Sequence, residues 1–149
     1  MGPARVRTVP SVDVVRAFYD ALNRRDVDGL TALVNGSFDE AAVLELPPSL
    51  PYGGRVAGVA KLRRMFAAMA GGQAVVGPRV VEVERIVGGD DSVVAVLAFD
   101  WGPPGGGDAI ASGASELWSF RAGKVTSIRA YYWDTAALVA SSTSPKPGR

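Results

Sequence analysis

The chain has 149 residues, 48% hydrophobic and 21% charged, with 16 Lys plus Arg against 15 Asp plus Glu. Balanced, scattered charge offers no basic surface for nucleic acid or an acidic membrane, no apolar run reaches the roughly 18 residues that span a bilayer, and the length suits one domain. Cysteine and histidine are both absent, which excludes disulfides, thiolate nucleophiles, Ser-His-Asp and Cys-His arrangements and sulfur- or imidazole-ligated metals, so proton transfer falls to Asp, Glu, Tyr, Lys, Arg or water.

The opening MGPARVRTVP carries Arg5 and Arg7 with no apolar stretch after them, so it is not a secretory signal, and a cytoplasmic location is expected. Residues 1–10 and the tail SSTSPKPGR at 141–149 read as disordered ends around a single domain over 11–140. SVDVVRAFYDALNRRD is an amphipathic helix, with Val14, Val15, Phe18, Tyr19 and Leu22 on one stripe and Ser11 or Asp13 as its cap. Asp26 caps a second, shorter helix that turns Leu30, Leu33 and Val34 inward. AAVLELP is a strand stopped by Pro47 and Pro48. The turn-rich SLPYGGRVAG leads to a third helix, VAKLRRMFAAMA, whose Val59, Leu62, Phe66 and Met69 share a face.

From Gly77 the pattern becomes extended: PRVVEVERIVGG, SVVAVLAFDW, IASGASELWSF and KVTSIRAYYWD are four strands. GGDD and RAGK are short enough for antiparallel hairpins. WGPPGGGD is longer, either a plain hairpin loop or a lid over a pocket mouth with Trp101 against a substrate. Helices first and strands after define an α+β chain.

Within ASELWSF, alternation puts Ala114, Glu116, Trp118 and Phe120 on one face and Ser115, Leu117 and Ser119 on the other. Glu116 is then either a solvated charge, free or paired with Arg129, or a carboxyl group held among large apolar side chains. In the second case desolvation raises its pKa and leaves it a neutral hydrogen-bond donor. Tyr131 and Tyr132 point oppositely, so one of them faces inward. Asp134 either starts a helical turn in Asp-Thr-Ala-Ala or takes part in chemistry.

Three patterns in order, FYDALNRRDVDGLTALV, PYGGRVAGVAKLRRMF and SFRAGKVTSIRAYYWD, resemble the ketosteroid-isomerase-like superfamily that includes nuclear transport factor 2 and the SnoaL-like polyketide cyclases. The resemblance covers residues 11–138 and implies a cone-shaped, curved, mostly antiparallel sheet around about three N-terminal helices, with an internal pocket. It also implies a homodimer.

Measured against steroid isomerases in this superfamily, the base position falls on Leu46, the phenol donor at about Phe18 with Tyr19 next to it, and the acid donor on Glu116. One of three chemical parts is thus retained. The Arg-x-Asp pair of limonene-epoxide-hydrolase-like members has no counterpart in SGASELWSF, and their last-strand aspartate aligns with Tyr131.

What the resemblance leaves is a pocket lined by Phe18, Tyr19, Leu46, Tyr52, Met65, Phe66, Met69, Phe99, Trp101, Trp118 and Tyr132. Its chemical candidates are Glu116 first, with Tyr19, Tyr132 and Asp134 behind it. Such a pocket suits a hydrophobic polyketide or polyene. It implies a cyclase that needs no metal or organic cofactor, similar to the small cyclases of polyether and indane-containing polyketide pathways. A [4+2] closure is within that chemistry. The rival readings are a proton-transfer isomerase or epoxide-opening enzyme using Glu116 and Asp134, and a non-catalytic domain that binds a hydrophobic ligand.

Overall fold

A computed structural model describes residues 9–73 and 76–143. The disorder expected at residues 1–8 and 144–149 lies outside them.

Helix α1 (Ser11–Asn23) buries Val14, Val15, Phe18 and Tyr19 on the expected stripe. Neither proposed cap closes its start. Pro10 holds that position at φ −56° and ψ 141°, its ring already set for helix entry. Ser11, buried one residue inside the helix, instead donates its hydroxyl to the Asp90 carbonyl at 2.7 Å. Arg25, at φ 55°, breaks the chain before α2 (Val27–Ser37). Asp26 caps α2 as expected, accepting from the Gly29 amide at 2.9 Å.

Strand β1 (Phe38–Leu46) follows without a loop and buries Ala42, Leu44 and Leu46. Beside it lies a short strand that the sequence reading took for part of a turn, β2 (Gly54–Ala57). Four residues with two adjacent apolar side chains, Val56 and Ala57, are too few to show a strand period, and pairing with β1 makes them a strand. Helix α3 (Val59–Ala70) buries Leu62, Phe66 and Ala70. Then come β3 (Gly77–Gly88), β4 (Ser92–Gly102), β5 (Ile110–Arg121) and β6 (Lys124–Tyr132).

All six strands form one sheet in the order β2-β1-β6-β5-β4-β3. Every pairing is antiparallel except β1 with β6. Register shifts interrupt β1, β3 and β5, and such bulges bend a strand and strengthen its twist. The helices pack on one side of the sheet, α1 against β3 and β4 and α3 against β1. Edge-to-face rings hold that side together: Phe18 meets Phe66 at 4.9 Å and Trp118 at 5.0 Å, and Phe38 meets Trp118 at 5.9 Å.

A further helix, α4 (Thr135–Thr143), follows β6 and takes in the first three residues of the expected tail. Leu138 anchors it, fully buried, while the Ser141 and Ser142 hydroxyls donate back to the Leu138 carbonyl. Among the described residues no helix is long and apolar enough to cross a membrane.

Candidate functional site

Between the helices and the sheet lies a cavity of about 280 Å³. Its deep wall is apolar, formed by Phe18, Leu44, Phe66, Leu97, Trp118 and Ile128, all buried. Half-buried Leu22, Met65, Ala68, Met69, Val76 and Pro78 form its outer part. Among the described residues, Tyr19, Tyr52, Glu116 and Tyr132 bring polar atoms to it, beside the indole N–H of Trp118. Among the described residues no Lys or Arg lines it.

Glu116 reaches the cavity because β5 alternates. Its cross-strand neighbours are Ala95 on β4 and Ala130 on β6, both buried, and their short side chains leave space for a carboxyl group. Glu116 is half-buried and lines the cavity. Tyr19 on α1 donates its hydroxyl to Glu116 Oε1 at 2.5 Å. Trp118, two residues along the same face of β5, donates its indole N–H to the same Tyr19 oxygen at 3.2 Å. One strand face thus supplies both the acceptor and the donor that hold a single phenol.

Burial raises the Glu116 pKa, and the bond from Tyr19, which favours the charged form, partly opposes it. Tyr19 is raised well above the usual phenol value, by burial first, then by the Glu116 charge and by donating to it. Arg129 does not reach Glu116. It pairs with Glu45 at 3.5 Å on the exposed side of the sheet, which disposes of the solvated-pair reading of Glu116.

A second polar cluster stands apart from the first in sequence. The Trp101 indole N–H donates to Tyr52 Oη at 2.8 Å, and Tyr52 Oη lies 2.9 Å from Tyr132 Oη. Burial raises the pKa of both tyrosines; the bonds from Trp101 and Tyr132 oppose it at Tyr52, and proximity to Tyr52 adds to it at Tyr132. Tyr132 also stacks edge-on with Phe99 at 5.7 Å.

Of the residues expected at the pocket, Phe18, Tyr19, Leu46, Tyr52, Met65, Phe66, Met69, Phe99, Glu116, Trp118 and Tyr132 line the cavity. Two lie elsewhere. Asp134 is exposed at φ 51°, and its carboxylate accepts from the Ala137 amide at 3.3 Å, capping α4. Trp101 is fully buried within β4, opposite Ile110, and reaches the site only through Tyr52. For the WGPPGGGD loop at 101–108, read as a plain hairpin loop or a lid, the plain loop is favoured: Gly102 belongs to β4, Pro103 is buried, and no residue from 101 to 110 lines the cavity. The sequence reading omitted aliphatic lining residues such as Leu44, Leu97 and Ala114, each two positions from a named one on its own strand, a signal that alternation carries.

The fold and sequence place the chain in a known class. A SnoaL-like domain family model matches residues 15–128, and the chain belongs to that family. Its members are often cofactor-independent enzymes. No functionally curated protein matches the chain. Among solved structures it is similar to a candidate SnoaL-like polyketide cyclase from Jannaschia sp. CCS1 (17% identity, 97% of this chain and 100% of that one, TM-score 0.66). It is also similar to Bal32a from a soil-derived mobile gene cassette (21% identity, 86% and 92%, TM-score 0.68). A third is TerC, co-crystallised with polyporic acid (19% identity, 87% and 97%, TM-score 0.65). At these identities the likeness is one of fold, the cone of nuclear transport factor 2 and the SnoaL-like cyclases.

Proposed function

We propose that the protein is a cofactor-independent cyclase that closes a carbocycle on a hydrophobic polyketide intermediate in secondary metabolism. The observation that carries this reading is the Tyr19–Glu116 hydrogen bond set in an apolar cavity. An apolar wall folds a flexible chain by burying it, and holding reacting ends together can supply about 7–11 kcal/mol in favourable cases. Tyr19 occupies one carboxyl oxygen, so Glu116 in its protonated form, the form that burial favours, keeps its other oxygen to donate to a carbonyl and polarise it as bonds form. A [4+2] closure fits this division of labour, since it needs conformation and polarisation rather than a proton removed.

The cavity volume bears on the substrate. About 280 Å³ falls just below the usual span of ligand pockets, roughly 300–1,000 Å³. It suits the reacting segment of a long substrate, one or two rings in extent, with the remainder at the half-buried rim. Exposed Tyr131 near the end of β6 and Trp133 just beyond it offer an apolar surface to a second copy, and a cytoplasmic homodimer is part of the proposal.

The test is conversion of a linear polyene–polyketide precursor by purified protein, compared with Glu116→Gln. A shape-driven closure is expected to stay within about tenfold of wild type. Loss of about 10²–10⁴ would instead identify Glu116 as a proton-transferring group and favour an isomerase. Binding of the cyclic product with no conversion of the precursor would mark a ligand-binding domain.

A further inference from the structure

The Trp101, Tyr52 and Tyr132 cluster contains more donors than it uses. Its three polar groups carry three hydrogens: the Trp101 N–H, which cannot accept, and two phenol O–H groups. The Trp101 N–H goes to Tyr52 Oη, and the Tyr52–Tyr132 contact consumes one phenol hydrogen, whichever residue supplies it. The other phenol hydrogen has no acceptor among the described residues. Both hydroxyls belong to side chains that line the cavity, where the surrounding wall is apolar. Tyr52 and Tyr132 are half-buried, so the spare hydrogen at the cavity is available to a ligand acceptor.

Register fixes where this donor lies relative to Glu116. Glu116 faces Ala130 across the strand pair, and Tyr132 is two residues further along β6, opposite Ala114. Tyr132 is therefore the diagonal neighbour of Glu116 on the same sheet face, with backbones about 7–8 Å apart. Two polar poles thus look into one apolar space, and no cation stands beside either among the lining residues. An anionic ligand would be buried without a countercharge, beside a carboxyl group.

We infer that the Tyr52–Tyr132 pair, oriented by Trp101, is a carbonyl-binding subsite of the cavity, and that the ligand is a neutral molecule with a ketone, quinone or enone oxygen on its apolar body. This inference rests on the proposed function only in taking the cavity as the ligand site. The pair donates one hydrogen bond to the ligand oxygen and leaves the reacting segment at Glu116. Because the spare hydrogen is shared, either tyrosine alone retains one: Tyr132→Phe frees the Tyr52 hydrogen, and Tyr52→Phe frees that of Tyr132. Only the double variant has none.

The experiment uses two bicyclic probes, tetralin and 1-tetralone, which differ in a single carbonyl group. Calorimetry on the wild-type protein is expected to show 1-tetralone bound about tenfold more tightly than tetralin. The infrared carbonyl band of bound 1-tetralone is expected at lower frequency than in hexane. The shift should persist in Tyr52→Phe, in Tyr132→Phe and in Glu116→Gln, and vanish in Tyr52→Phe/Tyr132→Phe. Equal affinity for the two probes, an unshifted band, loss in either single variant, or dependence on Glu116 in place of the tyrosines would overturn the inference. The wild-type comparison needs no variant to fold. No turnover is measured, so a failed cyclisation with an intact carbonyl shift refutes the proposed function alone, and the reverse result refutes the subsite alone.

Discussion

The Tyr19 hydroxyl on α1 and the Glu116 carboxyl group on β5, 97 positions apart in the chain, share a 2.5 Å hydrogen bond inside a largely apolar cavity. Burial raises the Glu116 pKa above its unfolded value. Between those two values the folded state holds more protons than the unfolded state, so stability falls as pH rises. The contribution is fully present below the unfolded carboxylate pKa and is lost as pH climbs through the raised folded value. Glu116→Gln removes this dependence. The wild-type protein is therefore expected to lose stability relative to Glu116→Gln from the ordinary glutamate range upward and then level off. Urea denaturation at a series of pH values checks this, and a difference that stayed constant with pH would contradict it.

Tyr19→Phe separates the two influences on that carboxyl group. The bond from Tyr19 lowers the Glu116 pKa, against the larger effect of burial. Removing it should push the Glu116 titration higher and extend the pH window of falling stability. The same change strands the Trp118 indole N–H, which donates to Tyr19. A buried donor without a partner costs about 1–3 kcal/mol. Carbon NMR of the labelled glutamate carboxyls in both proteins reads the direction, and a downward displacement would count against this account.

Asp134→Ala should leave turnover within about twofold while lowering stability by about 0.5–2 kcal/mol, the usual worth of a helix cap. Its carboxylate serves the Ala137 amide at the start of α4, outside the cavity. Parallel activity and melting measurements decide the matter. A tenfold loss of activity at unchanged stability would restore Asp134 to the chemistry.

Much of this arrangement is legible in the sequence because burial has a period. The α1 stripe correctly turns Phe18 and Tyr19 inward, and the β5 alternation correctly sets Glu116 beside Trp118. That Tyr19 meets Glu116 is not readable, because a stripe tells which residues face the core but not which strand they meet. Helix α4 escaped as a full helix because, among the described side chains of TAALVASST, only Leu138 is fully buried, too little for a periodic signal. Trp101 is a different case. Val93, Ala95, Leu97, Phe99 and Trp101 are all buried at every second position, so the alternation itself runs to Trp101 and marks it as strand before any loop begins.

Shortening the loop at Gly105–Gly107 is accordingly expected to change turnover by less than about twofold. Those residues follow the buried Pro103 and contribute nothing to the cavity wall. The deletion must stop short of Gly102, which pairs with Gly77 and whose α-carbon is covered by the Arg79 guanidinium. Steady-state rates of the shortened protein make the comparison. A drop of tenfold or more with an unchanged melting temperature would revive a gating role.

Ala68→Phe tests whether the cavity is the working site without touching any polar group. Ala68 lies on α3, half-buried, and borders the cavity between Met65 and Met69. A benzyl group there projects into empty space and shortens the room available to a ligand. Because it fills a void rather than a packed core, its effect on stability is expected to stay within about 1 kcal/mol. Binding of a bicyclic probe and conversion of a long substrate should both fall at least tenfold, since the apolar wall they share is narrowed for each. If conversion fell while probe binding held, Ala68 would border only the path of the longer chain. If neither changed, ligands would have to bind elsewhere on the protein, and Glu116 would lose its claim to contact them.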